Sequence, residues 1–282
     1  MAAATPKDLR TATALRYVQP LREGGSLPAV VDTDDGLYVV KFRGAGQGAK
    51  ALVAELIVGM LAESVGLPTP QLAIVELPEA FGRSEPDPEI QDILRRSHGA
   101  NVGLRYLDGA FNFALSAAGD LIPRALASRI VWLDAFLTNP DRTHRNPNIL
   151  VWDRRPWLID HGAAIYVHHD WAGASPERTR APFPLIRDHV LLGVADALEE
   201  TDAQLAPRLD TELFRSVLRR VPDALLMDPV AGRDFPDADA ARDRYIGWLD
   251  ERVRAPRAFV GEALAMRAGL LATPPLRLEA RR

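Results

Sequence analysis

Residues 139–162 read NPDRTHRNPNILVWDRRPWLIDHG. Two short apolar runs, Ile149 to Trp152 and Trp157 to Ile159, are separated by Asp153-Arg154-Arg155-Pro156, a stretch rich in turn residues. That pattern predicts a hairpin of two short strands. Asn148 then stands at the entrance of the first strand and Asp160 at the exit of the second. In an antiparallel pair those positions lie at the same end. Asp141, seven residues before Asn148, is on the loop that feeds that end. A surface hairpin has no need of a carboxylate, an amide and a second carboxylate gathered there. Hard oxygen donors converging from loop ends suit Mg²⁺, which takes one or two carboxylates and fills its shell with water or phosphate oxygens. Taken singly, Asp141 and Asn148 read equally well as turn residues. Their joint placement points to a metal site.

Working outward, the N-terminal part reads as strands. RYVQPL (16–21), LPAVVD (27–32) and LYVVKF (37–42) are short, rich in branched or aromatic residues and bounded by Gly and Asp clusters. A three-stranded antiparallel meander is expected. AKALVAELIVGMLAESVG (49–66) reads as a helix, ended by Gly66 with Pro68 and Pro70 beyond it. QLAIVEL (71–77) is a further strand, and the Pro-rich stretch at 78–101 marks a boundary. PRALASRIVWLDAFLTN (123–139) is a mostly buried helix, and several more helices follow from about residue 185. The expectation is an α+β chain: a small antiparallel β-rich lobe over residues 1–78 and a larger, mainly helical lobe over 79–282. Ligands favour the cleft between such units.

Within that frame two charged residues stand out. Lys41 lies near the end of its strand on the same face as Val39. Glu55 shares its helix face with Ala51, Val58, Gly59 and Ala62, so that face is not a solvated one. A carboxylate buried without a partner is costly, and Lys41 on the preceding strand is the natural partner. The chain thus presents, in order, a strand Lys, a helix Glu, a loop Asp, an Asn at the head of a strand and a strand-end Asp before Gly.

That order on those elements is the order of parts in a protein-kinase-like phosphotransferase. DRTHRNPNIL…LIDHG, with VVKF and AELIVGMLAESVGLPTP upstream, resembles the HipA-like kinases. It is also similar to the catalytic loops of phosphatidylinositol 3- and 4-kinases. The resemblance covers roughly residues 15 to 170. It implies a two-lobed protein-kinase-like fold, with ATP and Mg²⁺ as cofactors and a hydroxyl group, on a protein Ser or Thr, as acceptor. A small-molecule or lipid acceptor, and a nucleotide-binding pseudokinase that turns nothing over, are the alternatives. By the same resemblance Lys41 would contact the ATP phosphates, held by Glu55. Asp141 would take or orient the proton of the acceptor hydroxyl, and Asp160 would hold the metal. Backbone groups near Glu76 and Leu77 would meet adenine where the lobes connect.

Three departures from the family pattern bear on these roles. The pattern places its metal-binding Asn five residues after the catalytic Asp, which is Asn146, whereas Asn148 immediately precedes the strand as the pattern's Asn does; Asn148 is favoured, with Asn146 as the alternative. Asp-Phe-Gly is here Asp160-His161-Gly162. EGGSLPAV lacks a full Gly-x-Gly-x-x-Gly, leaving Gly24, Gly25 and Ser26 to cover phosphates with backbone N–H groups. Arg142 and Arg145 read either as steering charges or as ties within the loop. Trp152 and Trp157 read as cross-strand packing.

Composition closes off other classes. The 282 residues are 47% hydrophobic and 26% charged, enough for a sizeable core. With no cysteine, disulfides, thiolate zinc sites and a thiol nucleophile are excluded. A net charge of -4 gives no footprint for direct nucleic-acid binding or a polybasic membrane patch. MAAATPKDLR lacks a secretory core, and no stretch reaches the length of a membrane span, so the cytoplasm is expected. The wealth of Ala, Arg and Pro matches a GC-rich bacterial genome.

Overall fold

The computed structural model describes residues 8–21, 27–83 and 85–272. Five strands close into a barrel in the order β1-β2-β3-β5-β4: β1 (Arg10–Pro20), β2 (Ala29–Thr33), β3 (Gly36–Lys41), β4 (Leu72–Leu77) and β5 (Gly99–Arg105). The first three form the expected antiparallel meander, but β1 starts at Arg10, well before residue 16. Its early half, Arg10 to Thr13, pairs parallel with β4 and closes the barrel. Two register shifts against β2, at Leu15 and Val18, bend the strand so that one chain serves both neighbours. The early half carries only small inward residues, Ala12 and Ala14, which fill the interior with little hydrophobic signal in the sequence.

The stretch expected to separate two lobes at residue 78 does something else. Helix α2 (Pro88–Arg96), capped by the Asp87 side chain on the backbone N–H groups of Glu89 and Ile90, packs Ile90, Ile93 and Leu94 onto the barrel core. The chain then returns as β5, which pairs with both β3 and β4. The barrel therefore runs on to Arg105, past the expected division at 78/79.

Helix α1 (Gly48–Ser64) leaves the barrel after β3 and is buried from Ala49 to Ala62. A helix apolar on all sides belongs in a core. It packs against β4 and β5 and against α7 (Thr211–Leu218) and α8 (Asp223–Leu226). Between these come the single-turn α3 (Leu115–Ala118), α4 (Arg124–Phe136), the single-turn α5 (Pro176–Thr179) and α6 (Leu198–Leu205). The chain ends its described part with α9 (Ala238–Val253) and α10 (Ala258–Ala272). Trp132 and Phe136 of α4 stack at 5.5 Å and meet Phe214 of α7 and Phe259 of α10. The buried Arg252 of α9 donates to the carbonyls of Ala135 and Phe136, satisfying the C-terminal end of α4. A second sheet, β6 (Phe111–Asn112), β7 (Ile149–Trp152) and β8 (Arg155–Leu158), contains the hairpin.

Candidate active site

The hairpin turns on two residues, Asp153 and Arg154, both with positive φ (49° and 57°), the conformation of a tight primed turn. Pro156 sits within β8, tolerated there because β8 is an edge strand. Trp152 and Trp157 pack edge to face at 5.7 Å across the pair. With Ile149 opposite Leu158 and the Ile159 N–H donating to the Asn148 carbonyl at 3.0 Å, Asn148 and Asp160 fall at one end. Both adopt the left-handed conformation, φ 49° and 55°. Among non-glycine residues Asn and Asp tolerate it best.

Asp141 joins them. Its Oδ2 accepts hydrogen bonds from Asn146 Nδ2 at 2.8 Å and from Asn148 Nδ2 at 3.1 Å. Both candidate amides therefore converge on one carboxylate oxygen. Asn148 is buried at the base of the hairpin, and Asn146 is exposed.

Lys41 is brought to the same place from the barrel. Its Nζ donates to Glu55 Oε2 at 2.6 Å and to Asp160 Oδ1 at 2.5 Å. Burial would lower the Lys41 pKa, but the two carboxylates outweigh it and hold the ammonium above its usual value. Burial would likewise raise Asp160, and the Lys41 charge and hydrogen bond hold it below the usual carboxylate range. Glu55, fully buried, also accepts the His161 backbone N–H at 2.7 Å. Helix α1 is thereby tied both to the barrel and to the segment after the hairpin. Gly162 permits that close passage, since a Cβ there would lie 3.3 Å from Ala51 Cβ.

Beneath the loop lies a buried polar cluster that the sequence reading missed. Arg142, 1% exposed, donates through Nε to Asp134 Oδ2 at 2.6 Å and meets His161 Nδ1 at 3.2 Å. His189 Nε2 lies 3.0 Å from the same Asp134 oxygen. Burial would raise Asp134, but the Arg142 guanidinium and His189 hold it far below the usual range. Burial pushes the His161 imidazole down to about 4, opposed only in part by the Glu55 carboxylate. Arg142 is thus a tie within the loop, while Arg145 is exposed. A signal was present for Asp134: it is the lone carboxylate of its apolar helix, buried as Glu55 is in α1.

A cavity of about 1500 Å³ opens at this point. Val39, Lys41, Leu104, Asn146, Asn148 and Asp160 are among the residues lining it. Glu76 and Leu77 are not. They pair with Ala100 and Gly99 at the far end of β4, and the chain instead leaves the barrel through Tyr106 and Leu107, which do line the cavity. The two residues expected to meet adenine, Glu76 and Leu77, thus lie off the cavity wall. Gly24, Gly25 and Ser26 lie outside the described residues.

Among the described residues, no group of three or more His, Asp or Glu side chains is gathered as a metal site. The donors present, one Asp160 carboxylate and the Asn oxygens, fit an ion that draws most of its ligands from phosphate and water. No described helix is long and apolar enough to cross a membrane.

A family model for HipA-like kinases matches residues 17–172, more than half of the chain. Among curated proteins, no sequence matches the chain. In three dimensions it is similar to the crystal structure of a Helicobacter pylori proinflammatory kinase, CtkA, with a TM-score of 0.57 at 12% identity. That similarity covers 94% of this chain and 99% of the other. At such identity the likeness speaks for the mixed α/β fold alone, and the family match adds the chemistry. With Lys41 and Asp160 on the wall of one cavity, Glu55 paired to Lys41 behind it and Asp141 bonded to the wall residues Asn146 and Asn148, the chain belongs to the HipA-like kinase family and is a kinase.

Proposed function

We propose that the chain is an ATP- and Mg²⁺-dependent phosphotransferase that moves the γ-phosphate to a Ser or Thr hydroxyl of a protein. The barrel serves as the nucleotide lobe of a two-lobed kinase-like fold, the helical part as the catalytic lobe, and the large cavity as the cleft between them. The observation that carries the reading is Lys41, held between Glu55 and Asp160 at the cavity wall.

Phosphoryl transfer asks a protein mainly for positioning and charge neutralisation. Lys41, kept fully charged by its two carboxylates, offers its ammonium to the phosphates without leaving Glu55. Asp160, with Asn148 or Asn146, would hold Mg²⁺, which when bound neutralises phosphate charge. Asp141 has one oxygen fixed by two amide donors, so the other is left to accept the proton of the attacking hydroxyl. A protein acceptor is supported by family membership.

The test is transfer from γ-labelled ATP with Mg²⁺, using wild type, Asp141→Asn and Asp160→Asn. Wild type should label itself or an added protein acceptor, and each variant should lose activity by on the order of 100-fold or more. Label appearing only in a small molecule or lipid would move the acceptor class. A silent wild type whose melting temperature still rises with Mg-ATP would replace the proposal with a nucleotide-binding interaction module.

A further inference from the structure

We infer that Asp134 of α4 is the positioning residue of the catalytic loop, a single buried carboxylate that sets Asp141, Asn148 and Asp160 at once. The inference rests on the roles proposed for those three residues. Asp134 does not line the cavity, and neither do Arg142 and His189, so whatever they do is done through others.

Three chains of hydrogen bonds leave the one side chain. Oδ1 accepts from Asn139 Nδ2 at 2.8 Å, and Asn139 Oδ1 accepts the backbone N–H of Asp141 at 3.1 Å. This chain ends on the proposed proton acceptor. Oδ2 accepts from Arg142 Nε, and the same guanidinium donates to the carbonyl of Asn148, to that of Ile159 at 3.4 Å and to His161 Nδ1. These contacts flank the two left-handed residues, Asn148 and Asp160, whose backbone conformation side chains seldom adopt unaided. The third chain runs through His189. Its Nδ1 accepts the Leu191 N–H at 3.1 Å, so Nε2 carries the proton and donates to Asp134 while the ring stays neutral. Thr143 bridges to His189, and the Val190 N–H donates to the Arg142 carbonyl, so this segment braces the loop from its outer side.

The distribution of these bonds separates positioning from plain stability. Apart from those within the cluster itself and the Leu191 N–H that fixes the His189 ring, they end on backbone groups of site residues or their immediate neighbours. Buried charge-assisted bonds of this kind are strong and directional. Displacing reacting groups by about 1 Å costs on the order of 100-fold in rate.

The experiment uses Asp134→Asn and Asn139→Ala in the full chain, with steady-state kinetics and amide hydrogen exchange. Asn139→Ala removes one link and strands no buried charge, so it serves even if Asp134→Asn does not fold. Both folded variants should keep their KM for ATP within about threefold while kcat falls, about tenfold for Asn139→Ala and on the order of 100-fold for Asp134→Asn. Exchange should quicken at 139–149 and 158–161, with 189–191 following in Asp134→Asn only, and nowhere else. An unchanged kcat, or exchange unchanged in that loop or raised throughout the molecule, overturns the inference. If wild type transfers no phosphate, the functional reading fails by itself, and the exchange pattern still decides whether Asp134 sets the loop.

Discussion

Lys41 is one cation shared by two carboxylates, and the two partners are not equivalent. Glu55 is fully buried, whereas the Asp160 side chain is about a third exposed at 35%. Removing the shared cation strands the buried anion. Lys41→Met should therefore cost about 3–5 kcal/mol in a urea titration, while Asp160→Asn should cost about 1 kcal/mol or less. The double variant Lys41→Met/Glu55→Gln should recover a good part of the first loss, as coupling through one ion pair requires. Equal costs for the two single variants would show that Glu55 is satisfied from elsewhere. The pairing of Lys41 with Glu55 was legible in the sequence, because a lone carboxylate among Ala, Val and Gly must find a partner. Asp134 carries the same signature in RIVWLDAF, where the apolar periodicity of the helix is the stronger signal and masks it. The choice between Asn146 and Asn148 was not legible, and the geometry shows why: both amides bond to the same oxygen of Asp141.

At the scale of elements, the strand that escaped notice is β5. GANVGLR offers Gly99 and Gly103 where a strand pattern expects side chains. The structure gives Gly103 its reason: a Cβ there would lie 2.7 Å from Val75 Cγ2 and 3.2 Å from Tyr38 Cβ, inside the barrel. Val102 turns the other way into the helical core, so the strand alternates as strands do. Gly103→Ala should destabilise the fold by about 1–3 kcal/mol through overpacking, measured by thermal or urea unfolding. An unchanged midpoint would mean that Val75 and Tyr38 yield without cost. Missing β5 also displaced the expected cavity contacts from Tyr106 and Leu107 to Glu76 and Leu77. The hairpin, by contrast, was legible from residue types alone, because its apolar runs are bounded by turn residues and its pairing fixes which ends meet.

At the scale of the molecule, buried histidines tie stability to pH. His168, packed against His169, Lys50 and Tyr245, is lowered by burial well below 6.5. His189, facing Asp134, Arg142 and His144, is lowered by burial despite the Asp134 carboxylate. Unfolding lets both rings take up protons at their ordinary pKa, so the unfolded chain binds more protons below about pH 6.5. Stability is full above that value and falls as the pH drops, by up to about 1.4 kcal/mol per unit for each ring until its folded pKa is reached. Urea midpoints at pH 7.5 and 5.5 should differ accordingly, and a flat profile would show that the rings already titrate normally in the fold. The same core has a mechanical side. Helix α1 packs against the barrel strands β4 and β5 and the helices α7 and α8, and its side chains share one apolar cluster with both. A helix embedded in this way cannot swing outward to withdraw Glu55 without tearing that cluster open. Glu55 is thus held beside Lys41 twice over, by the ion pair and by the apolar core in which its helix is set.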